Sequence, residues 1–117
     1  MALRVFVAED EVLIALVLQD ILEELGHSIV GPVARVEDAC RIAREGAFEL
    51  AILDVKLADS DVYPVAEILQ TRGVPFAFAT GYGRDSLAAA FRARPILPKP
   101  YTEPDVAALI RQMCDAD

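Results

Sequence analysis

The stretch PFAFATGYG, residues 75–83, begins as an apolar run and ends with a threonine, two glycines and a tyrosine. Phenylalanine and alanine alternate over residues 76–79, so both faces of a strand here are apolar, as in a parallel sheet that helices cover on each side. Thr80 and Gly81 follow directly. Either they simply begin a turn, or the strand positions the Thr80 hydroxyl group to contact a ligand at its carboxyl end. The rest of the chain decides between these interpretations.

Strand and helix patterns alternate along the whole chain. Right-handed crossovers join parallel strands, so this alternation predicts a doubly wound α/β domain with helices on both faces of one sheet. We expect a flavodoxin-like, five-stranded parallel sheet in the order 2-1-3-4-5 with five helices. The predicted strands are 3–8, 28–33, 50–53, 76–79 and 95–97, and the predicted helices are 11–25, 37–45, 62–72, 84–93 and one that follows Thr102.

Glycine, proline and capping residues mark the expected ends of these elements. A helix commonly ends just before a glycine, and an Asp or Thr side chain commonly caps its first turn. A Gly-Pro pair within a strand indicates the edge of a sheet. We therefore expect helix ends at Gly26, Gly46 and Gly73, helix caps at Asp61 and Thr102, and an edge strand at Gly31-Pro32.

Length, composition and charge restrict the class of protein. The chain has 117 residues, 55% of them hydrophobic, which fits one domain, residues 1–117, with one core. Its formal net charge of -8 argues against direct nucleic-acid binding, which needs a basic patch. No apolar run approaches the roughly 20 residues that span a bilayer, and no leader pattern is present, so we expect a cytoplasmic protein. Cys40 and Cys114 lack metal-ligand spacing and are interpreted as free thiols packed against the core.

Polar side chains stand at the predicted carboxyl ends of four strands: Glu9 and Asp10, Asp54, Thr80 and Lys99. Doubly wound folds bind their ligands at this edge. Neighbouring carboxylates repel one another unless a cation lies between them, and oxygen-only ligands favour a hard ion such as Mg²⁺. A carboxylate can also accept a phosphoryl group as a nucleophile, and a lysine and a hydroxyl can bind that group.

Each of these residues also has a simpler interpretation. Glu9 and Asp10 can be loop acids or helix caps, Asp54 and Thr80 turn formers, and Lys99 a solvated loop lysine. Taken singly, these are the commoner roles. Their joint placement at the ends of strands one, three, four and five would be a considerable coincidence, so we predict a phosphoryl-accepting site.

The chain resembles the receiver domain of two-component response regulators over essentially its whole length. The matching segments are VFVAEDE at 5–11, LAILDVKL at 50–57, FAFATGYG at 76–83 and LPKPY at 97–101. The segment at 75–83 is also similar to the FAT GUY subgroup of receivers, known mainly from alphaproteobacteria. That subgroup includes single-domain regulators and receivers linked to general stress signalling.

The resemblance implies a role for each residue at the strand ends. Asp54 would accept a phosphoryl group from a histidine kinase or phosphotransfer protein, and the domain would catalyse only its own phosphorylation and dephosphorylation. A conformational change at the helix-strand-helix surface of residues 84–113 would carry the signal. The implied Mg²⁺ ligands are Glu9, Asp10, Asp54 and the backbone carbonyl of Lys56, and the implied phosphoryl-binding residues are Thr80 and Lys99, with a cis Lys99-Pro100 bond.

The loop after Asp54 departs from the family's usual pattern. Ala58 stands where many receivers carry proline, and Val62 stands where a glycine often follows the aspartate, so we expect a loop of different shape. The ammonium group of Lys56 either reaches the phosphoryl group or is solvated, and we favour the solvated state.

Ile96 stands where many receivers carry the aromatic partner of the switch threonine. Tyr82 is our first choice for a replacement and Tyr101 the second. The simpler expectation for both is an aromatic ring half-packed at the surface.

Three functions remain open from the sequence. The first is a phosphorylatable receiver, single-domain or excised from a larger protein, that acts by protein contact or by drawing phosphate from another regulator. The second is a receiver that binds partners without being phosphorylated, which the complete set of acceptor residues argues against. The third is a phosphatase or nucleotide-binding enzyme, but glycine-rich phosphate loops are absent and Lys56 replaces the second Asp of dehalogenase-type phosphatases. A contact face is predicted around Arg84, Arg92 and Arg94, which otherwise only balance the acidic surface.

Overall fold

A computed structural model describes residues 2–58 and 60–115. Five parallel strands form a sheet in the order β2-β1-β3-β6-β7, which is 2-1-3-4-5 among the five predicted strands. The predicted doubly wound α/β class is therefore confirmed. The elements are β1 Arg4–Ala8, α1 Val12–Glu24, β2 Ser28–Val33, α2 Val36–Glu45, β3 Leu50–Asp54, β4 Lys56–Leu57, β5 Ser60–Asp61, α3 Tyr63–Arg72, β6 Phe76–Thr80, β7 Ile96–Pro98 and α4 Glu103–Asp115.

The sheet has a different core on each face because side chains alternate along every strand. In β6, Phe76 and Phe78 pack toward α2 and α3, whereas Ala77 and Ala79 pack toward α1 and α4. All four side chains are at most 1% exposed. The ring of Phe78 lies within 6.1 Å of three other aromatic rings, measured between centroids. This packing makes β6 a central strand that holds Thr80 at a defined place.

Residues 84–93 do not form the predicted fifth helix. Two short 3-10 turns, Arg84–Ser86 and Ala89–Phe91, take its place, and the described residues contain four α-helices. The buried side chains of Leu87 and Phe91 attach this segment to the core. An alanine-rich composition favours a helix only weakly, and the segment's tertiary contacts override that preference.

The three arginines that were predicted to form a contact face also hold this segment in place. The guanidinium group of Arg84 donates to the carbonyls of Arg92 and Arg94, at 2.6 and 2.8 Å. Arg92 donates to the carbonyl of Leu87 at 3.1 Å, and Arg94 lies over the ring of Phe76, 4.1 Å from its centroid. These side chains replace part of the hydrogen bonding that a helix would supply. Their role in partner binding stays a prediction.

The predicted helix boundaries are mostly confirmed. Gly26 and Gly73 follow α1 and α3 with φ of 91° and 73°, and the Thr102 hydroxyl accepts a hydrogen bond from the backbone N–H of Asp105 at 3.3 Å. Gly46 ends α2 but has a φ of -74°, outside the left-handed region. The prediction of Asp61 as a helix cap is wrong, because Asp61 pairs with Lys56 in the β4–β5 hairpin and Val62 precedes α3.

Three further expectations concern the edge strand, the cysteines and the membrane. Gly31-Pro32 lies in β2, at the edge of the sheet. Cys40 and Cys114 are free and half-buried. Within residues 2–58 and 60–115, every helix is too short or too polar to cross a bilayer.

Candidate functional site

The predicted site residues lie together at one edge of the sheet. β3 ends at Asp54 and β6 ends at Thr80. Glu9 and Asp10 follow the last residue of β1, and Lys99 follows the last residue of β7. Because these four strands are neighbours and parallel, their carboxyl ends meet, and the five residues meet with them.

Lys99 bridges two of the carboxylates. Its Nζ lies 3.1 Å from Oε1 of Glu9 and 3.2 Å from Oδ2 of Asp54. The side chain of Glu9 is only 1% exposed, that of Asp54 14% and that of Lys99 19%. Burial alone would lower the pKa of Lys99, but the charges of Asp54 and Glu9 outweigh it and raise that pKa. The ammonium group therefore stays charged. The Lys99-Pro100 peptide bond is cis, as predicted.

The surroundings of Asp54 make its ionised form costly. Burial and the nearby charge of Glu9 raise its pKa from the ordinary 3.8 to about 7, although Lys99 offsets part of the rise. One lysine is thus insufficient to neutralise the cluster. A further cation, or a proton on Asp54, relieves the remaining repulsion.

Carboxylate oxygens of Glu9, Asp10 and Asp54 lie within 4.8 Å of one another. An all-oxygen set of this size fits a hard divalent cation, and Mg²⁺ in particular takes one or two carboxylates together with water and phosphate oxygens. The raised pKa of Asp54 is a second sign of the fit, since a divalent cation would offset the charge that raises it. These residues therefore suit the Mg²⁺ that the family resemblance implies.

The loop after β3 contributes backbone groups to this site. The backbone N–H of Ala58 donates to Oδ2 of Asp10 at 3.1 Å, and Ala58 has a φ of 47°. Proline has no N–H to donate and cannot adopt a positive φ. Alanine at position 58, where many receivers have proline, therefore permits this hydrogen bond to Asp10. The side chain of Lys56 is 72% exposed and 4.0 Å from Asp61, which agrees with the solvated state favoured above.

An open cleft of about 730 Å³ leads to Asp54, Thr80 and Lys99. Gly81 also lines it, and a β-carbon added there would meet no atom within 4 Å. Packing therefore does not demand a glycine at this position. The absence of a side chain instead leaves the approach to Asp54 clear.

The hydroxyl group of Thr80 is held on the side of the loop that follows β6. Its Oγ1 accepts a hydrogen bond from the backbone N–H of Tyr82 at 3.1 Å and lies 3.5 Å from Oγ of Ser86. Ser86 in turn donates to the carbonyl of Gly83 at 2.6 Å. Sequence reasoning missed Ser86, because its approach depends on the 3-10 turn that replaces the expected helix.

The two tyrosines proposed as substitutes for the missing aromatic have very different surroundings. Tyr82 is 88% exposed. Tyr101 is 9% exposed, and its hydroxyl donates to Oε1 of Glu9 at 3.3 Å. Burial, followed by the charge of Glu9, raises the pKa of Tyr101, so its hydroxyl remains protonated. The Tyr101 hydroxyl therefore contacts the carboxylate cluster. It does not occupy the position of Ile96, where the family usually has the aromatic partner of the switch threonine.

The chain is similar in sequence and fold to proteins of one known family. The family model of the response regulator receiver domain matches residues 5–111. The phyllosphere-induced regulator PhyR of Methylorubrum extorquens is 35% identical over 117 residues, which cover 96% of this chain and 43% of PhyR. The chain spans about half the length of the curated relatives it matches. SdrG from Sphingomonas melonis Fr1, solved in solution, is 42% identical with a TM-score of 0.85 and 95% of both chains covered.

A more distant structure has the same fold. The receiver domain of the sensor histidine kinase PA1611 from Pseudomonas aeruginosa, solved with magnesium in its active-site cleft, gives a TM-score of 0.84 at 18% identity over 99% of this chain and 100% of that one. The family match covers most of the chain, including the strand ends that carry the five acidic, hydroxyl and ammonium side chains. The chain thus belongs to the response regulator receiver domain family of two-component signalling.

Proposed function

We propose that this receiver domain accepts a phosphoryl group on Asp54, with Mg²⁺, from the phosphohistidine of a histidine kinase or phosphotransfer protein. The observation that carries the proposal is the setting of Asp54. Its carboxylate lines an open cleft, 3.2 Å from Lys99, and shares a 4.8 Å cluster with Glu9 and Asp10. The family is that of response regulator receivers, and we propose that this domain catalyses only its own phosphorylation and dephosphorylation.

The transfer step is a displacement at phosphorus. A carboxylate oxygen of Asp54 forms the new O–P bond while the donor's N–P bond breaks, and the imidazole leaves with the bonding electron pair and takes a proton. The carboxylates of Glu9, Asp10 and Asp54 and the Lys56 carbonyl would hold Mg²⁺, which would supply charge neutralisation for the phosphoryl oxygens. Lys99 supplies a second positive charge from its position beside Asp54.

A groove beside the cleft supports docking of the donor protein. Leu13 and Val17 on α1 are 77% and 47% exposed, and with Pro100 and Tyr101 they line an apolar groove of about 360 Å³. Large exposed apolar side chains in a cluster are unusual on a monomer surface and mark binding sites. We assign this groove to the donor because Lys99 lines both the groove and the cleft that leads to Asp54.

Thr80 links phosphorylation to the rest of the domain. In the unphosphorylated protein its hydroxyl accepts from the N–H of Tyr82. Turning that hydroxyl toward a phosphoryl oxygen breaks this contact and frees the loop that leads into residues 84–93, a segment that has two short 3-10 turns in place of an α-helix. We infer a shift between two populations of the surface formed by residues 84–113.

The names of the relatives support an output by protein contact. One structural neighbour, PhyR from Bartonella quintana, is described as an anti-anti-sigma factor, and SdrG has been solved in a BeF3-activated conformation. We propose that the domain works in the cytoplasm through a protein partner. A net charge of -8 argues against direct binding to nucleic acid.

The test is phosphorylation followed by intact mass. The protein is incubated with Mg²⁺ and acetyl phosphate, and in parallel with a phosphorylated kinase, beside Asp54→Asn. We expect one acid-stable, base-labile phosphoryl adduct on the wild type and none on the variant. A wild type that takes up no adduct from either donor, yet still binds a partner protein, would instead support the receiver that acts without phosphorylation.

A further inference from the structure

Tyr101 joins the apolar core to the acidic site. Its ring packs in the cluster between the sheet, α1 and α4, and its edge lines the groove beside α1. Its hydroxyl reaches 3.3 Å from Oε1 of Glu9. The hydroxyl therefore points into the carboxylate cluster while packing holds the rest of the side chain.

Glu9 is nearly inaccessible to water, so its orientation depends on protein donors. The backbone N–H of Glu11 donates to Oε2 at 3.1 Å. Oε1 receives Lys99 at 3.1 Å and Tyr101 at 3.3 Å, and in the described part of the chain these are its two donors. A buried carboxylate that loses such a donor becomes more costly to keep charged.

The two donors on Oε1 differ in what else they do. Lys99 also pairs with Asp54, so we expect its ammonium group to turn from Glu9 toward the phosphoryl oxygens once Asp54 carries them. Tyr101 has its ring packed among apolar side chains, so it stays in place when Lys99 moves. After that movement Tyr101 is the donor that remains on Oε1.

We propose that Tyr101 is a positioning residue for Glu9: its hydroxyl keeps the Glu9 carboxylate aimed at the Mg²⁺ site, before and after Lys99 turns to the phosphoryl group. This inference rests on the proposed function, since it assumes that Glu9 contributes to Mg²⁺ binding. Tyr101 acts through Glu9 and does not itself contact the metal or the phosphoryl group. The conservative change Tyr101→Phe removes the hydroxyl and keeps the ring.

The experiment compares Mg²⁺ affinity by isothermal titration in the wild type, Tyr101→Phe and Tyr63→Phe. Tyr63→Phe is the matched control, because it also removes one bonded tyrosine hydroxyl, which accepts from the N–H of Ala88 away from the acidic cluster. We expect Tyr101→Phe to weaken Mg²⁺ binding about three- to tenfold, which corresponds to one typical hydrogen bond, because the 3.3 Å contact is long for a bond to a charged group. Tyr63→Phe should leave the affinity unchanged.

A double-mutant cycle separates positioning from general loosening. The effect of Tyr101→Phe should disappear when Glu9 is already Ala, because the hydroxyl then has no carboxylate to hold. An equal loss in that background, or a Tyr101→Phe affinity equal to that of the wild type, overturns this inference alone. A wild type that binds no Mg²⁺ overturns the proposed function together with it.

Discussion

Asp54→Asn should stabilise the metal-free protein, and the gain should grow as the pH rises from near 3.8 to about 7. The folded protein raises the pKa of Asp54 to about 7, whereas an unfolded chain leaves it near 3.8. A group whose pKa is raised by folding favours the folded state while it is protonated, and that contribution is lost as the pH rises through the folded-state pKa. The wild type should therefore lose stability as the pH rises from near 3.8 to about 7, whereas the variant has no ionisable group at position 54 and should lack this loss.

The magnitude follows from the size of the pKa difference. One pKa unit corresponds to about 1.4 kcal/mol, so the rise to about 7 corresponds to about 4 kcal/mol at high pH. Because the carboxylate keeps contact with water in the open cleft, solvent screening reduces this figure, and we expect about 2 kcal/mol. For a domain of this length, that difference shifts the melting temperature by roughly 6 to 10 °C.

The assay is thermal and urea unfolding in EDTA at pH 5 and pH 8. Asp20→Asn is the matched control, since it removes a carboxylate on the exposed side of α1. We expect the gain from Asp54→Asn to be clearly smaller at pH 5 than at pH 8, because pH 5 lies between the unfolded and folded pKa values, and saturating Mg²⁺ should shrink the gain by stabilising the wild type. A variant that is less stable than the wild type at pH 8, or equally stabilised at both pH values, would refute the reasoning.

Three further predictions concern neighbouring groups. Lys99→Met should raise the pKa of Asp54 above about 7, because the charge of Lys99 lowers that pKa in the wild type. Carbon-13 NMR titration of the carboxyl groups measures the pKa. An unchanged or lower value would contradict this role of Lys99. Ala58→Gly should change the free energy of unfolding by less than about 1 kcal/mol, because glycine readily adopts the positive φ. Ala58→Pro should destabilise the protein by more than that and weaken Mg²⁺ binding, because it removes the N–H that donates a hydrogen bond to Asp10. Urea unfolding and Mg²⁺ titration decide it, and two variants of equal stability and affinity would count against the hydrogen bond. Leu13→Asp should slow phosphoryl transfer from the kinase at least tenfold and leave labelling by acetyl phosphate unchanged, because it damages only the groove for the donor protein; equal loss with both donors would mean that the substitution disturbs the acceptor site itself.

Periodicity and strand ends were enough to predict the sheet and the convergence of the site residues. Apolar runs identified all five strands of the main sheet, and parallel strands bring the residues that follow them to one edge. That is why Glu9, Asp54 and Lys99 were expected together from positions far apart along the chain. Their ion pairs follow from the fold, since Lys99 lies about 3 Å from both carboxylates.

The contacts made by side chains distant in sequence were not predictable in the same way. Residues 84–93 have a helix-like composition, yet Tyr63 and Arg94 contribute contacts that hold a different conformation. The hydrogen bond from Tyr101 to Glu9 joins residues 92 positions apart, and no local pattern announces it. Ser86 approaches Thr80 only because the segment turns early. In each case tertiary packing decides among conformations that the local sequence leaves open.

The central claim is that Asp54 itself carries the phosphoryl group, and chemical trapping tests it most directly. Protein treated with acetyl phosphate and Mg²⁺ is reduced with borohydride, which converts an aspartyl phosphate to homoserine, and its peptides are sequenced by mass spectrometry. We expect homoserine at position 54 alone, and none when EDTA replaces Mg²⁺. The proposed roles exclude a reduced side chain at Glu9, where the product would be one methylene longer than homoserine, or at Asp10. Modification at either carboxylate, or an unmodified Asp54 in protein shown to be phosphorylated, would contradict transfer to Asp54.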